Sequence, residues 1–190
     1  QAISRGKGRS AIAAAAYRSG TSLTNEATGK RHDYSRRVRS GEIDPAETDI
    51  LVPQGVAATW TLDRGALWNA AERAERRKDS RVATEILLAL PAELDRAQRR
   101  ALTTQYAQLL ADRYGVAVDY AIHPPSKAGD QRNHHAHLLM TTRRISAQGL
   151  GERSALEHNE DKRKALGLLR RAAEIRNLRE EWAHLANRAL

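Results

Sequence analysis

Four of this chain's seven histidines fall in one short segment, AIHPPSKAGDQRNHHAHLLMTTRRI, residues 121–145. In an extended strand alternate side chains share a face, so His135 and His137 project from one side and Ala136 and Leu138 from the other. His123 ends the preceding run, VAVDYAIH, whose apolar alternation also predicts a strand. If the two runs pair as a hairpin, His123 lies beside His135 and His137. Three neutral imidazoles then converge from a rigid platform, the donor set of a divalent-metal site with open coordination positions. His134 points to the opposite face and stays outside that set. There is no cysteine, which excludes a thiolate site and a disulfide framework.

Charge supplies the second clue. The net charge is +9, and residues 1–40 hold nine basic side chains (Arg5, Lys7, Arg9, Arg18, Lys30, Arg31, Arg36, Arg37, Arg39) against two acids, Glu26 and Asp33. Such asymmetry points to a polyanion, of which nucleic acid is the commonest. An open metal site beside a basic surface suits phosphodiester chemistry, with the ion polarising a phosphoryl oxygen. The residues alone leave the nucleophile open between water and a protein hydroxyl. Tyr17 lies inside the basic segment, beside Arg18. Tyr34, in HDYSRR, is the reserve, disfavoured because Asp33 opposes a phenolate next to it.

The elements that must position these groups can be read in outline. Ser10 is a predicted N-cap and Gly20 a C-terminal stop, giving a helix over 11–19 with Tyr17 in its last turn. Its alanines let it lie close on whatever packs beneath. Residues 21–50 read as basic loop with a short hairpin, and DILVP as a brief strand ended by Pro53. An amphipathic helix is expected over 62–78, with Leu67, Ala70, Ala71 and Ala74 on one side. RVATEILLAL follows as a buried strand stopped by Pro91, then a helix from Asp95 to Gly115 carrying Leu102, Tyr106, Leu109 and Leu110. HAHLLMTTR is a further strand. From about Leu156 the chain reads as helical, with Leu168, Ile175, Leu178, Trp182 and Leu185 as its apolar side. Helices between strands, with a hairpin, predict an α+β domain on a largely antiparallel sheet. With 41% hydrophobic residues, 4% aromatic and no Phe, the core must be built mainly of Ala, Leu, Ile and Val. No apolar run is long enough to span a bilayer, and a reducing cytosol is the expected setting.

Taken in order, ISRGKGRSAIAAAAYRSG, DYSRR, LWNAAERAERRKDSRVATEILLALP and HPPSKAGDQRNHHAHLLMTTR resemble the successive motifs of the MobA/MobL family of conjugative relaxases, the MobQ type. The resemblance runs through nearly the whole chain. It implies an HUH-endonuclease fold: a central antiparallel sheet of about five strands covered by helices, with a helical C-terminal segment. It implies plasmid mobilisation by nicking one strand at a transfer origin through tyrosine attack, a covalent 5′-phosphotyrosyl intermediate, and religation. By position, Tyr17 is the nucleophile and His123, His135 and His137 are the ligands. Glu85 lies near the site, there to orient a histidine or accept the tyrosine proton. Arg5, Lys7, Arg9, Arg18, Arg31, Arg36 and Arg37 are the expected DNA contacts. The implied cofactor is Mg or Mn, although three imidazoles also suit Ni or Zn. The implied partners are single-stranded and hairpin origin DNA, accessory mobilisation proteins and a coupling protein.

The expected division is a nicking core over residues 1–150 and a helical extension of the same domain over 151–190. The resemblance implies an opening strand before ISRGKG, so a chain that starts at Gln1 without Met is expected to have a trimmed N-terminus. Because many relatives continue into a further domain, excision from a longer protein is expected. Two other readings fit the residues: a nuclease that activates water, and a DNA-binding regulator whose metal is structural.

Overall fold

Local signals and helix ends agree closely. The computed structural model describes all 190 residues. The first helix, α1 (Ala11–Ser19), begins where the Ser10 side chain accepts from the Ala13 amide at 3.4 Å, and ends at Gly20 with φ of 67°. The strand before it, β1 (Ala2–Ser4), is three residues long. The basic loop contains the expected hairpin, β2 (Ser22–Thr24) with β3 (Arg31–Asp33), followed by a helical turn, α2 (Arg36–Arg39), that the sequence did not announce. DILVP forms most of β4 (Thr48–Leu51).

The expected helix over 62–78 is shorter. α3 (Arg64–Ala74) starts on an Asp63 cap and stops at Glu75. Glu75 leaves the helix because its carboxylate is buried between Arg143 and Arg153, an ion pair that sequence periodicity does not encode. β5 (Arg81–Ala89) leads into α4 (Arg96–Tyr114), whose capping box joins Asp95 and Gln98. β6 (Val118–His123) and β7 (His135–Thr141) then form the anticipated hairpin. A second hairpin, β8 (Arg143–Ser146) with β9 (Gly149–Arg153), was not anticipated. The last segment is two helices, α5 (Glu160–Ala165) and α6 (Arg171–Ala189), broken around Gly167 with φ of 65°. Leu168 therefore lies in the break rather than on a helix face, and both it and Ile175 are exposed.

Five strands make one antiparallel sheet in the order β1-β5-β7-β6-β4. Alternation along β7 divides the interior into two cores. Leu138 and Met140 pack with Leu102, Tyr106, Leu110, Tyr120, Leu178 and Leu185, under α4 and α6. Leu139 packs with Ile12, Ala15, Leu67, Trp68 and Ala83, under α1 and α3. Residue 150 falls inside β9, and Leu156, Leu178 and Leu185 beyond it share the first of these cores.

On the α1–α3 side, Asp119 of β6 is buried and accepts from Arg64 at 2.8 and 2.9 Å and from the Trp68 indole at 2.8 Å. Deleting that carboxylate strands a largely buried guanidinium and an indole N–H. Asp119→Ala is expected to cost about 3–5 kcal/mol, read as a fall in the denaturation midpoint. A change below about 1 kcal/mol would mean that water replaces the carboxylate.

Candidate metal centre and nucleophile

Strand pairing sets His123 directly opposite His135, and Ala121 opposite His137. The three rings gather on the α1 side of the sheet, with centroids 4.8, 5.3 and 5.5 Å apart. One nitrogen from each lies within 4.8 Å of those of the other two. Each ring also touches a group that only accepts hydrogen bonds. His123 Nε2 lies 2.7 Å from the Arg18 carbonyl, His135 Nδ1 is 3.0 Å from the Asn133 carbonyl, and His137 Nδ1 is 2.8 Å from Glu85 Oε1. Each of those ring nitrogens must therefore donate a proton. In the neutral form of each ring this leaves a lone pair on His123 Nδ1, His135 Nε2 and His137 Nε2.

This is the outer-sphere pattern that orients metal-binding imidazoles, and the residues fit a divalent ion. Two ligands on one ion, each at roughly 2.1 Å, lie at most about 4.2 Å apart, so small ring rotations would complete the site.

Burial dominates the titration of His123, which is 4% exposed and has its pKa pushed down to about 4. The Arg18 carbonyl opposes that shift, while His137, Arg37 and His135 add to it. The ring is thus neutral at pH 7 and able to ligate. Glu85 is equally buried, and burial alone would raise its pKa. Hydrogen bonds from His137 and Arg18 outweigh that cost and hold the carboxyl down at about 2. Its Oε1 accepts from both partners, so the carboxylate is ionised and occupied.

Tyr17 is delivered from the other direction. It sits in the last turn of α1, 46% exposed, and lines a cleft of about 600 Å³ with His123, His135 and His137. The N-terminus of α1 is anchored from α3, where Glu72 Oε1 accepts from the Ala11 amide at 2.9 Å and from the Ser10 hydroxyl at 3.0 Å. Tyr34 meets the Tyr17 ring edge-on at 5.2 Å but does not line the cleft.

The seven basic residues take different positions. Arg18 binds Glu85 and the Ala14 carbonyl, inside the site. Arg37 stacks over Tyr17, its Cζ 4.1 Å from the ring centroid, and lines the cleft. Arg5 is turned inward, to Glu72 and the carbonyls of Glu75 and Arg77. Arg31 pairs with Asp33 and bonds Ser22. Lys7, Arg9 and Arg36 are exposed and lie outside every ion pair. The cleft also takes Ser40, Glu42 and Lys127, which sequence reasoning passed over because nothing in their spacing links them to the histidines.

A sequence profile of the MobA/MobL family matches residues 9–190. Mobilization protein MobL of Acidithiobacillus ferridurans is 36% identical over 99% of this chain and 52% of its own length. Conjugal transfer protein TraA of Agrobacterium fabrum is 30% identical over 95% of this chain and 16% of its own. The chain thus spans about half of the one and a small part of the other. A solved structure described as the molecular basis of vancomycin resistance transfer in Staphylococcus aureus superposes with a TM-score of 0.79. It is 27% identical, and the match covers 100% of this chain and 89% of that one. No helix is long and apolar enough to cross a membrane. With the profile running through α1, the paired histidine strands and α6, the chain belongs to the MobA/MobL family.

Proposed function

We propose that this chain is a plasmid-mobilisation relaxase of the HUH class that nicks one strand of origin-of-transfer DNA by tyrosine transesterification. The observation that carries this reading is that Tyr17 lines one cleft with His123, His135 and His137. Tyr17 Oη attacks the scissile phosphorus. The Oη–P bond forms as the P–O3′ bond breaks, the phenolic proton passes to solvent in the open cleft, and the departing 3′ oxygen takes up a proton. Religation runs the same exchange backwards, so the tyrosyl ester conserves a bond that hydrolysis would discard.

His123, His135 and His137 would hold a divalent ion, which supplies polarisation of a phosphoryl oxygen when bound. Mg or Mn is the expected ion in use, and the imidazole set also accepts Ni or Zn. Glu85, ionised and occupied by two donors, is a poor base and serves to orient His137 and fix Arg18. Incubation with a single-stranded origin oligonucleotide and Mn, followed by denaturing electrophoresis, tests the reading. A covalent protein–DNA band is expected, and cleavage without one would mean that water is the nucleophile.

DNA affinity comes from phosphate contacts outside the cleft, for which Lys7, Arg9 and Arg36 are candidates that lie outside any ion pair. Replacing all three by Gln should flatten the dependence of log affinity on log salt by roughly 2, at about 0.7 per single-strand contact. An unchanged slope would make these side chains ordinary solvated surface.

A further inference from the structure

A nucleophile that is nearly half exposed at the end of a helix needs something to fix its ring, because reacting atoms must be held close and aligned for efficient attack. The α1 backbone fixes only the Cα–Cβ direction of Tyr17. Its ring is met from the edge by Tyr34 and from the face by Arg37. Arg37 is itself held at several points. Nη1 donates to the Tyr17 carbonyl at 2.6 Å, Nε donates to Glu42 at 3.1 Å, and the guanidinium carbon stands 4.1 Å from the Tyr17 ring centroid. One side chain therefore grips both the backbone and the ring of the same residue, from a turn twenty positions along the chain.

This is not the geometry of a free phosphate contact, which would leave the guanidinium in solvent. Stacking between a cation and an aromatic face is orientation-dependent, and a planar guanidinium satisfies it in a way an ammonium cannot. The grip acts on the ring face and the main chain, so it leaves the hydroxyl unencumbered and persists whether that oxygen carries a proton or an ester. Arg37 also lines the cleft.

We infer that Arg37 is a positioning residue for Tyr17, setting the ring's orientation toward the histidine site rather than supplying DNA affinity. The inference rests on the relaxase reading above and narrows it: the segment 36–42 is part of the nucleophile's mounting.

The test compares the parent protein with Arg37→Ala, Arg37→Lys and Tyr17→Phe, using a single-stranded origin oligonucleotide with Mn. Single-turnover adduct formation, DNA affinity at several salt concentrations, and melting temperature are read for each. For Arg37→Ala the adduct rate should fall about a hundredfold, the cost of a small misplacement of a reacting group. Affinity should stay within about threefold, with an unchanged salt slope. Low millimolar guanidinium should restore part of the rate, and Arg37→Lys should retain only a fraction of it. A parent-like rate in Arg37→Ala overturns the proposal. So does a rate loss that tracks affinity and salt slope, which would make Arg37 a phosphate contact. A loss that tracks melting temperature, or that neither guanidinium nor Arg37→Lys relieves, also overturns it. If Tyr17→Phe still forms an adduct, another residue is the nucleophile and the Arg37 role falls; if the parent forms none, the relaxase reading fails and takes this role with it. An adduct formed equally by the parent and Arg37→Ala, but not by Tyr17→Phe, sinks the Arg37 role alone.

Discussion

Tyr17→Phe is expected to lower covalent adduct formation by more than about a thousandfold, the scale on which deleting an attacking atom acts. The substitution removes one oxygen and leaves the ring, so the edge contact to Tyr34 and the Arg37 stack survive. Melting temperature should be unchanged. Affinity for an origin oligonucleotide should stay within about threefold, because the lost group contributes to bond exchange and not to phosphate binding. Denaturing electrophoresis with a labelled oligonucleotide reads the first effect, and a binding titration reads the last. A persistent adduct would transfer the nucleophile's role elsewhere. Tyr34→Phe is then the variant to make, although Tyr34 touches the Tyr17 ring without lining the cleft.

The second large effect concerns the histidines. His135→Ala combined with His137→Ala removes two of the three proposed ligands from one face of β7, leaving His123 alone. Divalent-ion affinity should fall at least about a hundredfold, and cleavage should fall with it. DNA binding should survive. His134→Ala is the control, since that ring lies away from the site, beside Arg96 and Arg99. Calorimetric metal titration, thermal melting and the adduct assay on the same proteins separate the outcomes. Full activity in the double variant would end the metal-site reading. Loss of folding together with loss of the ion would instead make the metal structural.

Much of this arrangement was legible in the sequence. The bounds of α1 follow from Ser10 and Gly20, because capping and positive φ are single-residue signals. The β6–β7 pair follows from alternation, and with it the meeting of His123, His135 and His137. What escaped depends on partners distant along the chain. β8 and β9 hold only Ile145 and Leu150 as large apolar residues, too few to show a period, and form because they cover α3. The end of α3 is set by Arg143 and Arg153 drawing Glu75 out of the helix. Basic side chains look alike in a sequence, yet Arg5 turns inward to Glu72, Arg37 folds over Tyr17, and Arg36 stays in solvent. Charge counts predict a field, whereas the fate of each guanidinium is decided by which carboxylate, carbonyl or ring the fold brings within reach.

The pairing of His123 with His135 at the mouth of the β6–β7 hairpin has a consequence for how such a chain can vary. The three histidines are tied by strand phase, and a slip of one residue in β7 would turn His135 and His137 toward the opposite core together. The parity of that strand is therefore fixed. The stretch over 124–132 lies outside the strand pairing, whereas the carbonyls of Asn133 and His134 are held, accepting from His135 Nδ1 and the Leu90 amide. The side chains of that stretch can change without altering strand phase, and Pro124, Pro125, Ser126 and Lys127 form part of the cleft wall. A hairpin built this way separates a strand whose phase must not change from a stretch of cleft wall that can.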